Sequence, residues 1–477
     1  MNVIVVCSDT FRLDHLGFLG VQPLQTPHLD RLASESVHFV DFRLCSFPTV
    51  LNRIEVFTGR VTFPFVDWGR LPREFPVLSE MFRHHGFETA LVTDNPHLMK
   101  PEFDFGRGFE FVKFIPGQAD MNIRPESDPM LELGCDVSKL DPRPRRIERY
   151  RRNAWWNRQQ GTNTTEQVFD EAIRRLHSGS RPFFMWVDVF DPHEPWDALQ
   201  RFQDLYPLDP SGEALFWPRP GKAGDFSSVE LENIRRLYRA EVAQVDHGLG
   251  RIMESLQGSG LLGTTAVIFC SDHGWYFGEH ELVGKMGYGR PTTIYDTLGR
   301  IPLLVRHPGG MGAGRRVTGF CQPPDLHGTL LDLAGIPAPP WVQGRSLLLA
   351  LGEGCTSRPF AVAGCYPRKG HESNLTLWTK DWCFVYSPHH GLPGSELYVR
   401  RQDSHDAPNV LADHPAEGRA LLARLEGWLA ELGVPARRQR QLLQATGHGL
   451  LDRMSQRLRA GRNAWRYYRR YRHYRQK

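Results

Sequence analysis

Five short stretches of this chain carry side chains that could act together on an anionic ester. The first, Cys45–Arg60 (CSFPTVLNRIEVFTGR), reads as a helix that starts at Thr49 and ends at Thr58-Gly59-Arg60. It puts a hydroxyl, Thr49, in the first turn and a guanidinium, Arg53, one turn later on the same face. Exposed backbone N–H groups and the helix dipole favour an incoming anion there. The others are Ser8-Asp9-Thr10, Asp94-Asn95-Pro96-His97, Asp191-Pro192-His193-Glu194-Pro195-Trp196 and Ser271-Asp272-His273-Gly274. A hydroxyl is a poor nucleophile at neutral pH and needs a metal or a base. Carboxylates and imidazoles for that purpose recur in the other four stretches. The chemistry these types suggest is hydrolysis of an anionic ester. Taken alone, Asp9 reads equally well as a metal ligand or as a turn residue.

The elements that must position these residues alternate. Buried strands are expected at Asn2–Cys7, Thr89–Val92, Phe183–Phe190, Thr265–Cys270 and Ile301–Arg306. Helices are expected after Thr26, and at Pro76–His85, Asn163–Ser178, Val229–Leu256 and Pro323–Ala334. This alternation predicts an α/β fold, a doubly wound mixed sheet flanked by helices. Four of the polar clusters follow strands directly, and the carboxyl edge of such a sheet is where ligands bind. The basic, aromatic segment Arg143–Arg158 reads as an insertion or long loop, either solvated or facing substrate. After about residue 355 the texture changes. Short antiparallel strands at Phe360–Cys365, Leu375–Tyr386 and Glu396–Arg400 and a helix at Pro415–Leu432 predict a smaller α+β domain. The expected division is 1–355, 356–436 and a basic, aromatic-rich tail, 437–477.

At 477 residues with 40% hydrophobic content, the chain can bury a large core in two or three domains. Its net charge is only +4, but the distribution is uneven. The tail carries 12 Arg, one Lys and one Asp, a net +12, against −8 for the first 436 residues. Three roles are open to it: an arm docking a homo-oligomer, contact with nucleic acid or an anionic membrane surface, or a solvated extension. The eight cysteines show neither CxxC pairs nor framework spacing, which argues against a zinc ribbon or a disulfide scaffold. No stretch reads as a signal peptide or a membrane span, so a cytoplasmic protein is expected.

Together the motifs resemble the type I sulfatase-like hydrolases of the alkaline phosphatase superfamily, over about residues 1–432. The family's C/S-x-P-x-R motif is followed by T-G; with Thr58-Gly59 as that pair, Thr49 falls at the nucleophile position and Arg53 at +4. Asp272-His273-Gly274 with Gly278, Glu279-His280 and Gly284-Lys285 resembles the S-D-H-G…G-x-x…G-K signature. Asp191-Pro192-His193-Glu194-Pro195 resembles D-P-H-x-P, and Glu396-Leu397-Tyr398 with Asn409-Val410-Leu411 resembles a C-terminal family segment. The resemblance implies one divalent metal ion (Ca, Mn, Mg or Zn) on Asp9, Asp272, His273 and Thr49. It makes Arg53 the residue that holds nucleophile and anion, bidentate on the equatorial oxygens, and His193 and Lys285 the pair at the ester oxygen and leaving group, with a small anionic ester as substrate. His97 falls near a family histidine, but Asn95 stands where a lysine would be. His28 and His280 read as structural.

The larger departure is Thr49. Sulfatases of this family oxidise Cys or Ser there to formylglycine, which Thr cannot become, and Leu51 replaces the proline of the maturation motif. Cys45 as nucleophile would put Arg53 at +8 and break the T-G spacing. A Thr ester must be resolved by attack of water on phosphorus or sulfur directly. Relatives with Thr or Ser at this site handle phosphorus, so a phosphate mono- or diester or a phosphonate ester is expected. The alternatives are a sulfuric ester, transfer to an alcohol, or a degenerate binding protein.

Overall fold

The structure is a computed structural model that describes residues 1–20, 24–119, 121–179, 181–285, 291–353, 358–365, 373–400 and 407–444. Most of the tail, residues 445–477, lies outside the described residues, so the roles expected of it are untouched. Among the described residues, no helix is long and apolar enough to cross a membrane.

Eight strands form the principal sheet: β1 (Asn2–Ser8), β2 (Val37–Phe42), β3 (Glu88–Thr93), β4 (Phe111–Phe114), β5 (Phe183–Val189), β6 (Thr265–Ser271), β7 (Leu303–Arg306) and β8 (Arg316–Cys321). They lie in the order β8-β2-β7-β6-β1-β5-β3-β4. All pairings are parallel except those of β7, which runs antiparallel to both β2 and β6. The α/β fold with a mixed sheet is therefore the one the alternation predicts. The central strands are apolar throughout because both faces are covered. Val3, Val5 and Cys7 of β1 join one core, and Ile4 and Val6 the other. The first core also takes apolar side chains from α2 (Thr49–Thr58), α3 (Leu78–His84) and α7 (Pro323–Leu333). The second is covered by α1 (Pro27–Ser34), α4 (Pro144–Gln159), α5 (Thr164–Leu176) and the long α6 (Ser228–Gly258). Gly248 lets α6 approach α5, since a Cβ there would lie 2.0 Å from the Phe169 ring.

The segment read as an insertion or long loop is α4, a regular helix that buries Ile147, Tyr150, Asn153 and Ala154. The expected strand Leu375–Tyr386 is instead a hairpin, β10 (Leu375–Trp378) and β11 (Trp382–Tyr386), flanked by β9 (Ala361–Cys365) and β12 (Glu396–Val399). A two-residue strand, Ser46–Phe47, pairs in parallel with the end of β9, so the lead-in to α2 is part of this second sheet. The helix α8 (Pro415–Glu431) covers it with Leu421, Leu425 and Leu429.

Candidate active site

The helix α2 is buried on every side, Thr49 to Thr58. A polar residue in such a helix needs a partner. Glu55 accepts from the backbone N–H groups of Ser46 and Thr62, both at 3.0 Å, and from the Ser46 hydroxyl. Burial pushes its carboxyl up to about 7. This knot fixes the chain on either side of α2 and hence the position of its first turn. Gly59 ends the helix at φ 71°, its N–H returning to Glu55 O at 2.8 Å.

Two strand ends converge on that first turn. Asp9 follows β1, and Asp272-His273 follows β6, the neighbour of β1 in the sheet. Ligand atoms of Asp9, Asp272 and His273, all buried, lie within 4.8 Å of one another. His273 Nε2 is 3.8 Å from Asp9 Oδ1 and 3.5 Å from Asp272 Oδ2. Thr49 Oγ1 is 3.3 Å from the same nitrogen. The donor set fits a hard or borderline divalent cation. Asp272 Oδ1 already accepts from Thr10 N at 2.9 Å and His273 N at 2.8 Å. Its Oδ2 makes no hydrogen bond of good geometry and faces Arg53 Nη1 at 3.2 Å, so an ion there would share that oxygen with the guanidinium. His273 Nδ1 sits 2.9 Å from Gly274 O, which fixes the proton on Nδ1 and turns the Nε2 lone pair toward the carboxylates. Burial, with Lys285 and Arg53 nearby, drops His273 to about 4, so it is neutral at pH 7. Burial and the neighbouring Asp272 push Asp9 up to about 8. A carboxylate held that far from its ordinary range is a site where a cation would replace a proton.

Arg53 does not present its fork to an anion. Its Nε and Nη2 donate to Asp188 at 2.7 and 3.2 Å, and its Nη1 lies 3.2 Å from Asp272 Oδ2. The Nε–Nη2 edge of the fork is thus bidentate on Asp188, Nη1 makes no hydrogen bond, and Arg53 brings fixed positive charge beside Asp9 and Asp272. Asp188, on β5, also accepts from Trp186 Nε1 at 2.9 Å and Asn95 Nδ2 at 3.2 Å. Four N–H donors from three residues compensate its complete burial.

His193 and Lys285 stand together on the other side. Lys285 Nζ lies 3.3 Å from Thr10 Oγ1 and 3.4 Å from Glu194 Oε2. His193 stacks on Phe190 at 4.1 Å, and its Nδ1 is 2.5 Å from Glu194 O. That contact leaves Nε2 as the acceptor nitrogen. Burial and Lys285 hold His193 well below its ordinary pKa. His97 is 6.3 Å from His193, centroid to centroid, and is likewise depressed, first by burial and then by Lys100. Beneath them Asp191 accepts from Thr165 Oγ1 at 2.5 Å, Gln118 Nε2 at 2.9 Å and Gln244 Nε2 at 3.0 Å.

All seven residues singled out in the sequence (Asp9, Thr49, Arg53, His193, Asp272, His273 and Lys285) are therefore linked in one buried network. Cys45 is turned away, fully buried in the core of the second sheet, its thiol pushed well up by burial and by Glu55. Sequence reasoning missed Asp188. Its signal was a lone carboxylate inside an apolar strand (FFMWVDV), which demands a buried donor. It also missed Glu194 as the acceptor that orients both His193 and Lys285.

The sequence matches the Sulfatase family over residues 1–336. It is 26% identical to an arylsulfatase of Clostridium perfringens, over 89% of this chain and 94% of that protein. It is also 26% identical to the multifunctional alkaline phosphatase superfamily protein PehA of Trinickia caryophylli, over 74% of this chain and 77% of that protein. The phosphonate monoester hydrolase of Agrobacterium radiobacter shares the fold at a TM-score of 0.71 and 23% identity, covering 90% of this chain and 96% of that one. A carboxylate–imidazole cluster at the carboxyl edge of a mixed sheet, and a family match across most of the chain, lead to one conclusion: this protein belongs to the Sulfatase family of the alkaline phosphatase superfamily, a metal-dependent family, and is an ester-bond hydrolase.

Proposed function

We propose that Thr49 is the nucleophile and that the substrate is a phosphorus ester, a phosphate mono- or diester or a phosphonate ester. The observation that carries this reading is the Thr49 hydroxyl at the first turn of a buried helix, 3.3 Å from His273 Nε2 and beside Asp9 and Asp272. A divalent ion (Ca, Mn, Mg or Zn) held by Asp9, Asp272, His273 and Thr49 would lower the hydroxyl's pKa and neutralise charge on the ester oxygens. Thr49 gives up its hydroxyl proton to solvent water, its Oγ1 attacks phosphorus as the bond to the leaving oxygen breaks, and a phosphothreonine ester remains. His193 is neutral in the free site. The charge of a bound anion offsets the pull of Lys285, so Nε2 takes up a proton and passes it to the departing oxygen. Lys285 and Arg53 stabilise the charge that develops in the transition state. Water then attacks phosphorus and frees Thr49.

Support for phosphorus comes from Thr49, which cannot become the formylglycine that releases sulfate by C–O cleavage, and from likeness to a multifunctional alkaline phosphatase superfamily protein and a phosphonate monoester hydrolase. A sulfuric ester is the second reading, favoured by likeness to an arylsulfatase. Steady-state kinetics on aryl phosphate, phosphonate and sulfate esters, with Thr49→Ala as control, decides between them. A larger kcat/KM on the sulfate than on both phosphorus esters overturns the first reading.

A further inference from the structure

The carboxylate of Asp9 is held by two neutral donors, one on each oxygen. Thr10 Oγ1 donates to Oδ1 at 2.8 Å and Asn95 Nδ2 to Oδ2 at 3.1 Å. Asn95 is fully buried, and its orientation is fixed because its Oδ1 accepts from His97 N at 3.0 Å. Its two N–H bonds are divided between two carboxylates, Asp9 Oδ2 and Asp188 Oδ1. The amide thereby joins the Asp9 cluster to the counter-ion of Arg53 and to the backbone at His97. Thr10 is unusual in its own way. It is β-branched yet sits at φ 65°, a conformation that persists only where the surroundings enforce it. Its N–H on Asp272 Oδ1 at 2.9 Å and its carbonyl accepting Tyr238 Oη at 2.8 Å supply that enforcement. The result aims the Thr10 hydroxyl back at Asp9 and within 3.3 Å of Lys285 Nζ.

Each Asp9 oxygen has two lone pairs. One donor on each therefore fixes the rotation of the carboxylate and leaves both oxygens able to ligate. We propose that Asn95 and Thr10 are positioning residues that lock the Asp9 carboxylate for a divalent cation, and that the affinity of the site depends on their two hydrogen bonds. This inference rests on the reading that Asp9, Asp272 and His273 hold the metal. Outer partners of ligating carboxylates are generally worth about 10- to 100-fold in metal affinity.

The test is calorimetric titration of Mn²⁺ into metal-stripped full-length protein. The wild type is expected to bind one ion per chain. Asn95→Ala and Thr10→Val, the second an isosteric loss of the hydroxyl alone, are expected to bind about 10- to 100-fold more weakly. Thr10→Ser, which restores a hydroxyl, is expected to return to within about threefold of the wild type. If Asn95→Ala and Thr10→Val bind as the wild type does, or if Thr10→Ser is as weak as Thr10→Val, the positioning role is overturned while the metal reading stands. If the wild type binds no Mn²⁺, both fall.

Discussion

Removing the Thr49 hydroxyl leaves α2 and the carboxylates in place, so Thr49→Ala is expected to fold normally and to lose about 10³-fold or more in kcat, whereas Thr49→Ser retains turnover. Arg53 and Asp188 behave differently, because each is the other's buried counter-ion. Asp188→Asn leaves the guanidinium undercompensated and is expected to cost about 3–5 kcal/mol in chemical denaturation. Asp272→Asn removes a carboxylate of the proposed metal site but leaves Arg53 its pair with Asp188, so its stability loss should be smaller. Metal binding at Asp9 must displace a proton held up to about pH 8, whereas His273, at about 4, is already deprotonated at neutral pH. Apparent metal affinity should therefore rise about tenfold per pH unit between pH 6 and 8, with proton release measurable in buffers of different ionisation enthalpy.

The elements that carry the site were legible because strand ends are abrupt. Apolar runs stop at Ser8-Asp9, Phe190-Asp191 and Ser271-Asp272, and each stop is a carboxyl edge. Less legible were β2, β4 and β8, which lie toward the edges of the sheet and lack a long apolar run. The helix α4 was obscured by six arginines, whose stems cover apolar surface while their charges reach solvent. Arg53's true partner could not be read from spacing, since Asp188 lies on a different element and looks structural in one dimension. The helix α2 also depends on how it stops. Gly59 is at φ 71°, and a Cβ there would approach the His327 ring to 2.7 Å. Gly59→Ala is expected to destabilise the protein by about 1–3 kcal/mol in thermal or chemical melts, and to lower activity only as the folded fraction falls.

For the molecule as a whole, the buried acids set the pH dependence of stability. Asp9, Glu55, Asp94 and Asp191 are raised to about 8, 7, 7 and 6, mainly by burial. In the unfolded chain such groups titrate near 4. Folding therefore retains protons that the unfolded chain has released, and the stabilisation is lost as pH rises through the folded values. The depressed Asp272 acts oppositely, but its contribution is complete above about pH 4. The depressed buried histidines, His97, His193, His273 and His327, also act oppositely, and theirs is complete above about pH 7.5. Metal-stripped protein is expected to melt at a higher temperature at pH 7.5 than at pH 8.5, and added divalent cation should raise the melting temperature most at pH 8.5. A flat profile would mean that these carboxyls are not protonated in the folded state.

The pairing of Ser46–Phe47 with the end of β9 couples the beginning of the chain to a strand made much later. On a ribosome, the segment that leads into α2 lacks its sheet partner until residues through 365 have left the exit tunnel. The helix α2 cannot settle early, however complete the first half of the sheet is. Nascent chains arrested before that point should hold a protease-sensitive region around residues 45–60 and show no ester hydrolysis, with both properties changing together once the later strands emerge. Catalytic competence in this enzyme is then a late product of synthesis, and a truncated chain is kept silent by its own topology.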